Sequence, residues 1–324
     1  MNTKLSVASV CRTLPTPDDS ASGVFVYRRL AALAKIANVR AVQPVPYFPA
    51  IAPLPEWARN GGRRLANLYV HNAPMLYVPK LFKSLDGLWL YRALRVLNQN
   101  CSMERQFDVI DAHFGYPDGV GAFVAAKRLG IPFFVTLRGF EAEYLERRLI
   151  REQIEHVIRN ADGCICVSHF LKEIAIRHGA DERKTTVIHN GIDREAFRPS
   201  DQTRQRNELS LPSDAKIIVS VGSLISRKRH HVVLSALARV LEHNADTLLL
   251  IIGGEAFESD YPKRLHKQVR DLAIGDSVRF IGNIDADRVS AYLNAADLFV
   301  LCSSREGCCN AVLEALACGC LLYT

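Results

Sequence analysis

Asp297-Leu298-Phe299-Val300-Leu301-Cys302-Ser303-Ser304-Arg305-Glu306-Gly307-Cys308-Cys309-Asn310-Ala311-Val312-Leu313-Glu314-Ala315-Leu316-Ala317 reads as a buried strand, a short loop and a helix in succession. Five residues of strand character end at Leu301, and helix formers run from Asn310 to Ala317. The spacing sets Glu306 on the loop and Glu314 about one turn inside the helix. Between them, the first helical turn, Asn310, Ala311 and Val312, presents backbone N–H groups at the positive end of the helix dipole, where an anion is stabilised. An acidic side chain on each flank can accept hydrogen bonds from sugar or ribose hydroxyls. The stretch therefore predicts a site for a diphosphate flanked by sugars.

Working outward, apolar strands alternate with helical patterns along the whole chain. The first series runs from Leu5–Cys11, a helix over Val24–Ala37 and a strand over Val39–Val45, through Asp108–Ala112, a helix after Asp118, Phe133–Leu137 and a long helix to Arg159, to Gly163–Val167 and a helix to His178. A polar stretch, Asn190 to Asp214, carries Pro199 and Pro212 and interrupts the pattern. A second series follows: strands Lys216–Val221, Thr247–Ile252, Ser277–Ile281 and Leu298–Leu301, separated by helices. Such alternation predicts an α/β protein of two doubly wound, Rossmann-like domains with parallel sheets, facing one another across a cleft. The expected division is 1–195, a connection at 196–215, and a second domain at 216–324.

Four segments together resemble one known family: the Glu306-x7-Glu314 stretch, Val221-Gly222-Ser223-Leu224 with Arg227-Lys228, Val187-Ile188-His189-Asn190-Gly191-Ile192-Asp193, and the run from Asp108 to Gly119 with His113 at its centre. The chain is similar to the retaining glycosyltransferases of the GT-B fold, family 4. The resemblance implies transfer of a glycosyl group from a nucleoside-diphosphate sugar to an acceptor hydroxyl. It implies Glu314 at the ribose, Glu306 at the donor sugar, and His113 on the acceptor or transferred sugar. Arg227 and Lys228, carried by the turn after Gly222, would neutralise a departing diphosphate without a metal. The family often has an arginine where Ser223 stands, a role Arg227 can take over. Arg138, in Thr136-Leu137-Arg138-Gly139, suggests contact with an anionic acceptor, and Gly23 is a candidate for close backbone approach after the first strand. For each of these residues a structural reading stands beside the functional one: solvated charges opening a helix, a buried histidine, a plain βα turn. The family pattern also leads one to expect a further strand, a Gly-rich loop and more α/β units after Thr324, so the second domain reads as incomplete and an inactive, truncated nucleotide-sugar-binding remnant is an alternative. A GT-B-fold epimerase or phosphorylase is another.

Composition narrows the classes further. The 324 residues are 48% hydrophobic, enough for two well-buried cores, and no run approaches the roughly 20 apolar residues of a membrane span. The start lacks a convincing signal peptide, which suggests a cytoplasmic protein. Nine cysteines show no zinc-site spacing, and the bland reading is reduced thiols; Cys308 and Cys309 fall inside the expected site, where a reactive thiol is the sharper alternative. No cofactor or metal is expected. Asp285-x-Asp287 resembles a metal-binding pair but precedes a helix, where capping explains it better. Gly253-Gly254 lacks the dinucleotide spacing and no P-loop occurs, which disfavours dehydrogenase and NTPase readings. Net charge is +7, concentrated between Glu56 and Asn100, where seven Lys/Arg face two acids and both tryptophans, Trp57 and Trp89, fall. That segment reads either as a pair of amphipathic helices with solvated cations or as a peripheral contact to an anionic membrane carrying a lipid-linked acceptor. It matches no nucleic-acid fold signature.

Overall fold

Leu248, Leu250 and Ile252 pack into one hydrophobic cluster while Leu249 and Ile251 pack into another. Alternate residues of a strand point to opposite faces, so this strand is covered by helices on both sides, as parallel sheets require. A computed structural model describes residues 4–19, 22–49, 51–78, 81–101, 107–139, 141–255, 258 and 260–323. The chain divides into two units, Met1–Gly191 and Ile192–Thr324.

The first unit holds β1 (Ser6–Val10), β2 (Asn38–Tyr47), β3 (Gly62–Leu65), β4 (Leu68–Leu76), β5 (Val109–His113), β6 (Phe133–Leu137), β7 (Gly163–Cys166) and β8 (Thr185–Val187). They form one sheet in the order β3-β4-β2-β1-β5-β6-β7-β8. β1 pairs in parallel with β2 on one side and β5 on the other, with Val10 opposite both Val42 and Ala112. The strand order reverses at β1/β5. Leu14, Val26, Leu30, Ala41, Val70 and Phe114 close the core on that side.

The second unit holds β9 (Lys216–Val221), β10 (Thr247–Ile252), β11 (Val278–Gly282), β12 (Leu298–Val300) and β13 (Leu322–Tyr323), in the order β11-β10-β9-β12-β13 and all parallel. Here the order reverses at β9/β12. β6, β9, β10 and the helix Asn310–Ala317 have the bounds read from sequence.

Other elements differ from the sequence reading, each for a physical reason. Residues 196–215 form part of the second unit: Phe197 and Leu211 are buried in its core, and Asp201 caps a helix, Gln202–Glu208, by accepting from the Arg204 N–H. Two apolar side chains suffice to anchor a segment whose composition is otherwise polar. Within 56–100, β3 and β4 make an antiparallel hairpin at the sheet edge, with α-helices at Glu56–Arg59 before it and Asp86–Cys101 after it. Pro79 and Lys80 of that stretch lie outside the described residues. The helix expected to run to Arg159 is two, Glu141–Tyr144 and Arg148–Asn160. A further strand does follow the helix Asn310–Ala317, because Leu322 and Tyr323 pair with Phe299 and Val300.

Candidate active site

Gly222 stands directly beyond β9, where the second unit's strand order reverses. At such a reversal the two flanking connections leave in opposite directions and open a crevice at the carboxyl ends of the strands. The connection after β9 folds as a 3₁₀ turn, Ser226–Lys228, and passes through Arg229 at φ 54° into the helix His230–Leu241. The connection after β12 runs over 301–309 into the helix Asn310–Ala317. Two hydrogen bonds stitch the two loops together: the Ser304 backbone N–H donates to the Arg227 carbonyl at 2.9 Å, and the Arg227 side chain donates through Nη1 to the Arg305 carbonyl at 2.8 Å.

Across this seam Lys228 Nζ donates to Glu306 Oε1 at 2.7 Å, and Arg227 Nη1 lies 3.3 Å from Glu306 Oε2. Burial pushes the Glu306 carboxyl up, but the Lys228 ammonium above all, with the Ser303 hydroxyl and the Arg227 guanidinium, outweighs it and holds the group below its ordinary value. It is ionised at neutral pH. The Lys228 stem lies over Gly222, where an added Cβ would stand 3.1 Å from Lys228 Cδ and Cε. Asn310, Ala311 and Val312 form a partly buried first helical turn that no side chain caps at Cys309, and Glu314 follows in the next turn, partly buried. Burial pushes the Cys309 thiol up, so it stays protonated near neutral pH, which counts against a reactive thiol at Cys309. Asp285 precedes its helix without making a side-chain cap bond, so capping does not account for it. No group of three metal-ligating side chains occurs among the described residues.

Three residues that sequence reasoning passed over hold this turn in shape. His230 is fully buried; its Nε2 lies 3.2 Å from the Gly222 carbonyl and its Nδ1 3.4 Å from Ser220 Oγ. Burial pushes the imidazole down to about 4, so it is neutral, and because a carbonyl only accepts, Nε2 carries the proton and donates. Gly253, at φ 145°, lets two strand ends touch: a Cβ there would stand 2.1 Å from the Gly222 carbonyl oxygen. Glu258 accepts from the Ser226 N–H at 2.9 Å and from Ser226 Oγ at 3.1 Å, which fixes the 3₁₀ turn. A histidine opening a helix just after a cationic turn was the available signal for His230.

In the first unit, His113 ends β5 at that unit's own reversal and has no exposed surface. Its Nε2 lies 3.2 Å from Asp111 Oδ2 and 3.1 Å from Ser9 Oγ, while Arg138 Nε and Nη2 lie 3.2 and 3.0 Å from its Nδ1. A guanidinium only donates, so Nδ1 holds the lone pair and Nε2–H donates toward Asp111. Burial pushes this imidazole down to about 4. Arg138 donates through Nη1 to Asn190 Oδ1 at 2.9 Å, and its guanidinium lies over the Phe25 ring at 5.2 Å. Burial lowers it to about 10, with Arg29 adding to the effect. Glu141, also unforeseen, ties the loops after β5 and β6: it accepts from the Gly115 N–H at 2.8 Å and from the Arg138 and Gly139 N–H groups at 3.1 and 2.7 Å. Gly23, at φ 61°, begins the helix Val24–Leu33, and a Cβ there would stand 2.0 Å from the Thr13 carbonyl oxygen. Only glycine fits that contact. His113 therefore lies beneath the surface at the end of β5, in contact with Arg138, which is itself 7% exposed.

The family description "Glycosyl transferases group 1" matches residues 201–322, and "Glycosyltransferase Family 4" matches residues 50–196. With the two matched regions in this order along most of its length, the chain belongs to the GT-B-fold glycosyltransferases of family 4. It is 27% identical over 234 residues to D-inositol 3-phosphate glycosyltransferase 2 of Catenulispora acidiphila, a match covering 66% of this chain and 53% of the relative. The chain spans about half the length of the curated relatives it matches. In fold it is similar to sucrose-phosphate synthase from Thermosynechococcus elongatus, with a TM-score of 0.79 and 19% identity over 98% of this chain and 80% of the other. It is also similar to HepE of Anabaena in complex with UDP and glucose, with a TM-score of 0.72 and 18% identity over 98% and 80% of the two chains.

Proposed function

We propose that the chain transfers a glycosyl group from a nucleoside-diphosphate sugar to an acceptor hydroxyl, with retained anomeric configuration, in the synthesis of a polysaccharide or lipid-linked glycan. The observation that carries this reading is the meeting of Arg227, Lys228 and Glu306 at the β9/β12 reversal, next to an uncapped helix start. Breaking the glycosidic bond to a diphosphate leaves negative charge on the departing oxygens. Two fixed cations and the first-turn N–H groups of residues 310–312 stabilise that charge more in the transition state than in the ground state. In this reading Glu314 accepts from the ribose hydroxyls and Glu306 from the donor sugar, and Gly222 keeps the turn low enough for the diphosphate to approach. A complex of HepE with UDP and glucose supports a UDP-sugar as the first donor to try. The test is titration calorimetry with UDP and UDP-glucose, alongside a transfer assay on a panel of nucleotide sugars and glycan acceptors, with and without EDTA. Lys228→Ala should weaken UDP binding at least tenfold, the effect of losing about 1.4 kcal/mol of charge-assisted contact. If Lys228→Ala binds UDP as the parent does, the donor site is elsewhere.

On the acceptor side, Arg138 is assigned to an anionic group of the acceptor. His113, fully buried, positions its guanidinium, and Gly23 shapes the loop nearby. A peripheral membrane contact fits the first unit's surface. Among the described residues no helix is long and apolar enough to cross a membrane. Yet Phe82, Leu85 and Leu88 stand 65%, 40% and 47% exposed around the start of the helix Asp86–Cys101, which carries exposed Arg92 and Arg95 further along. Leu85 also lines an apolar cavity of about 510 Å³ with Val120, Phe123 and Leu149. Apolar side chains beside cations favour an anionic bilayer. Trp57 serves the fold instead, bonded to Asp18 and covered by Arg63. Flotation with phosphatidylglycerol vesicles should carry the protein upward, and Leu85→Glu/Leu88→Glu should leave it at the bottom.

A further inference from the structure

The two cations assigned to the donor diphosphate are already neutralised by an acid of the same site. Lys228 Nζ and Arg227 Nη1 hold one oxygen each of the Glu306 carboxylate, at 2.7 and 3.3 Å, with the three side chains 13%, 28% and 23% exposed respectively for Lys228, Arg227 and Glu306. Resting on the donor-site reading above, we infer that Glu306 is an internal counter-anion: its carboxylate competes with the diphosphate for Lys228 and Arg227, and donor binding displaces it from them and releases it toward the sugar.

The geometry favours an exchange of side chains over a movement of loops. The Ser304 N–H on the Arg227 carbonyl does not involve the Glu306 carboxylate, and Arg227 Nη1, which also faces Glu306 Oε2, keeps its shorter bond to the Arg305 carbonyl. They keep the 226–229 turn and the 304–306 loop in register when the carboxylate leaves. Below the turn, the neutral His230 holds the Gly222 carbonyl whatever anion lies above. Lys228 rests its stem along Gly222 and carries its charge on a flexible end that can exchange one anion for another. A diphosphate brings more charge than a carboxylate, so it wins the exchange, but at reduced net affinity because an existing charge-assisted pair must be broken. Without the acid, the same cations would be exposed to any phosphate in solution. The carboxylate thus lowers retention of the diphosphate, including the nucleoside diphosphate left after transfer, and reserves its own hydrogen-bonding capacity for the sugar.

The test measures binding of UDP and of inorganic pyrophosphate by calorimetry to the parent, Glu306→Gln, Glu306→Asp, Lys228→Ala and the Lys228→Ala/Glu306→Gln double variant, with thermal unfolding confirming that each is folded. Glu306→Gln should bind UDP and pyrophosphate on the order of tenfold tighter while turnover falls, and Glu306→Asp should restore an affinity near the parent's. In the Lys228→Ala background the gain from Glu306→Gln should largely vanish, because the competition runs through that ammonium; a gain that persists undiminished would mean diffuse repulsion and would overturn the inference. Unchanged or weaker UDP binding by a folded Glu306→Gln overturns it while leaving the donor site standing. A parent and Glu306→Gln that both ignore UDP and pyrophosphate remove the donor-site reading and the counter-anion with it.

Discussion

A backbone at φ 145° with no room for a Cβ makes Gly253 a sharp test of how the site is held. Alanine there must adopt a backbone conformation that side chains disfavour and also push the Gly222 carbonyl aside from 2.1 Å. Gly253→Ala should therefore lose about 3 kcal/mol of stability by chemical denaturation and weaken UDP binding, since Gly222 carries the turn that presents Lys228. Gly191 offers the contrast, with nothing within 4 Å of an added Cβ, and Gly191→Ala should stay within about 0.5 kcal/mol of the parent. A large loss at Gly191 or none at Gly253 would contradict this account. The same contrast explains which site residues the sequence disclosed. Arg227, Lys228, Glu306 and Gly222 carry charge and glycine at strand ends, a local pattern that suggests anion chemistry, and the structure brings them together. Gly253 and Glu141 were not legible in this way, because each touches a backbone group on a different connection, which no local pattern records; His230 reaches back to the Gly222 carbonyl of its own connection, so only its position after the cationic turn hinted at it.

Among the elements, the helix Gln202–Glu208 shows how a polar segment can be structural. Arg206, 7% exposed, donates to the Ala295, Ser213 and Ala215 carbonyls and to Asp297 Oδ2, which also accepts from the Ile217 N–H. One guanidinium thus ties the helix to the amino ends of β9 and β12. Arg206→Ala removes a guanidinium from the Ala295 carbonyl and unpairs Asp297, and should lower the stability of the second unit by about 3 kcal/mol, read by urea denaturation followed by far-UV circular dichroism. Arg204, exposed and paired with Glu208 on the same helix, should change stability by less than about 0.5 kcal/mol when replaced. A charged, proline-flanked stretch reads as a connection because burial of a guanidinium depends on carbonyls far away in sequence. The β3–β4 hairpin was hidden in a similar way. β4 begins with a clear alternation, Leu68 and Val70 buried and Tyr69 exposed, but Asn72 is then buried as well. Its burial is satisfied by Arg63 of β3 and the Trp57 carbonyl, so the strand breaks the apolar period that sequence reasoning follows.

For the molecule as a whole, opposing buried titrations should make stability respond to pH in a way that single substitutions expose. His113 has a folded pKa of about 4 against an ordinary 6.5, so its contribution is complete above 6.5 and is lost as pH falls toward 4, because the unfolded chain takes up the proton first. Burial raises Asp118 from 3.8 to about 7, which has the opposite sign: the folded state binds the proton more tightly, so stability is gained as pH falls through 7 toward 4. At their limits the two shifts correspond to about 3 kcal/mol for His113 and about 4 kcal/mol for Asp118. Burial moves Asp86 in the same direction as Asp118, and His71 in the same direction as His113. Between pH 6.5 and 5 the first unit's opposing slopes should nearly cancel in the parent. Asp118→Asn removes one side, and it should be more stable than the parent at pH 8 yet lose about 2 kcal/mol on acidification from 6.5 to 5, while the parent stays almost flat. Both tryptophans lie in the first unit, so tryptophan fluorescence during urea denaturation follows this unit alone. His230, also lowered to about 4, gives the second unit an acid loss that neither Asp118 nor Asp86 offsets, because both lie in the first unit. Far-UV dichroism should therefore show the second unit weakening below pH 6.5 while the fluorescence midpoint of the parent holds. Parallel acid losses in both signals would refute the balance between His113 and Asp118.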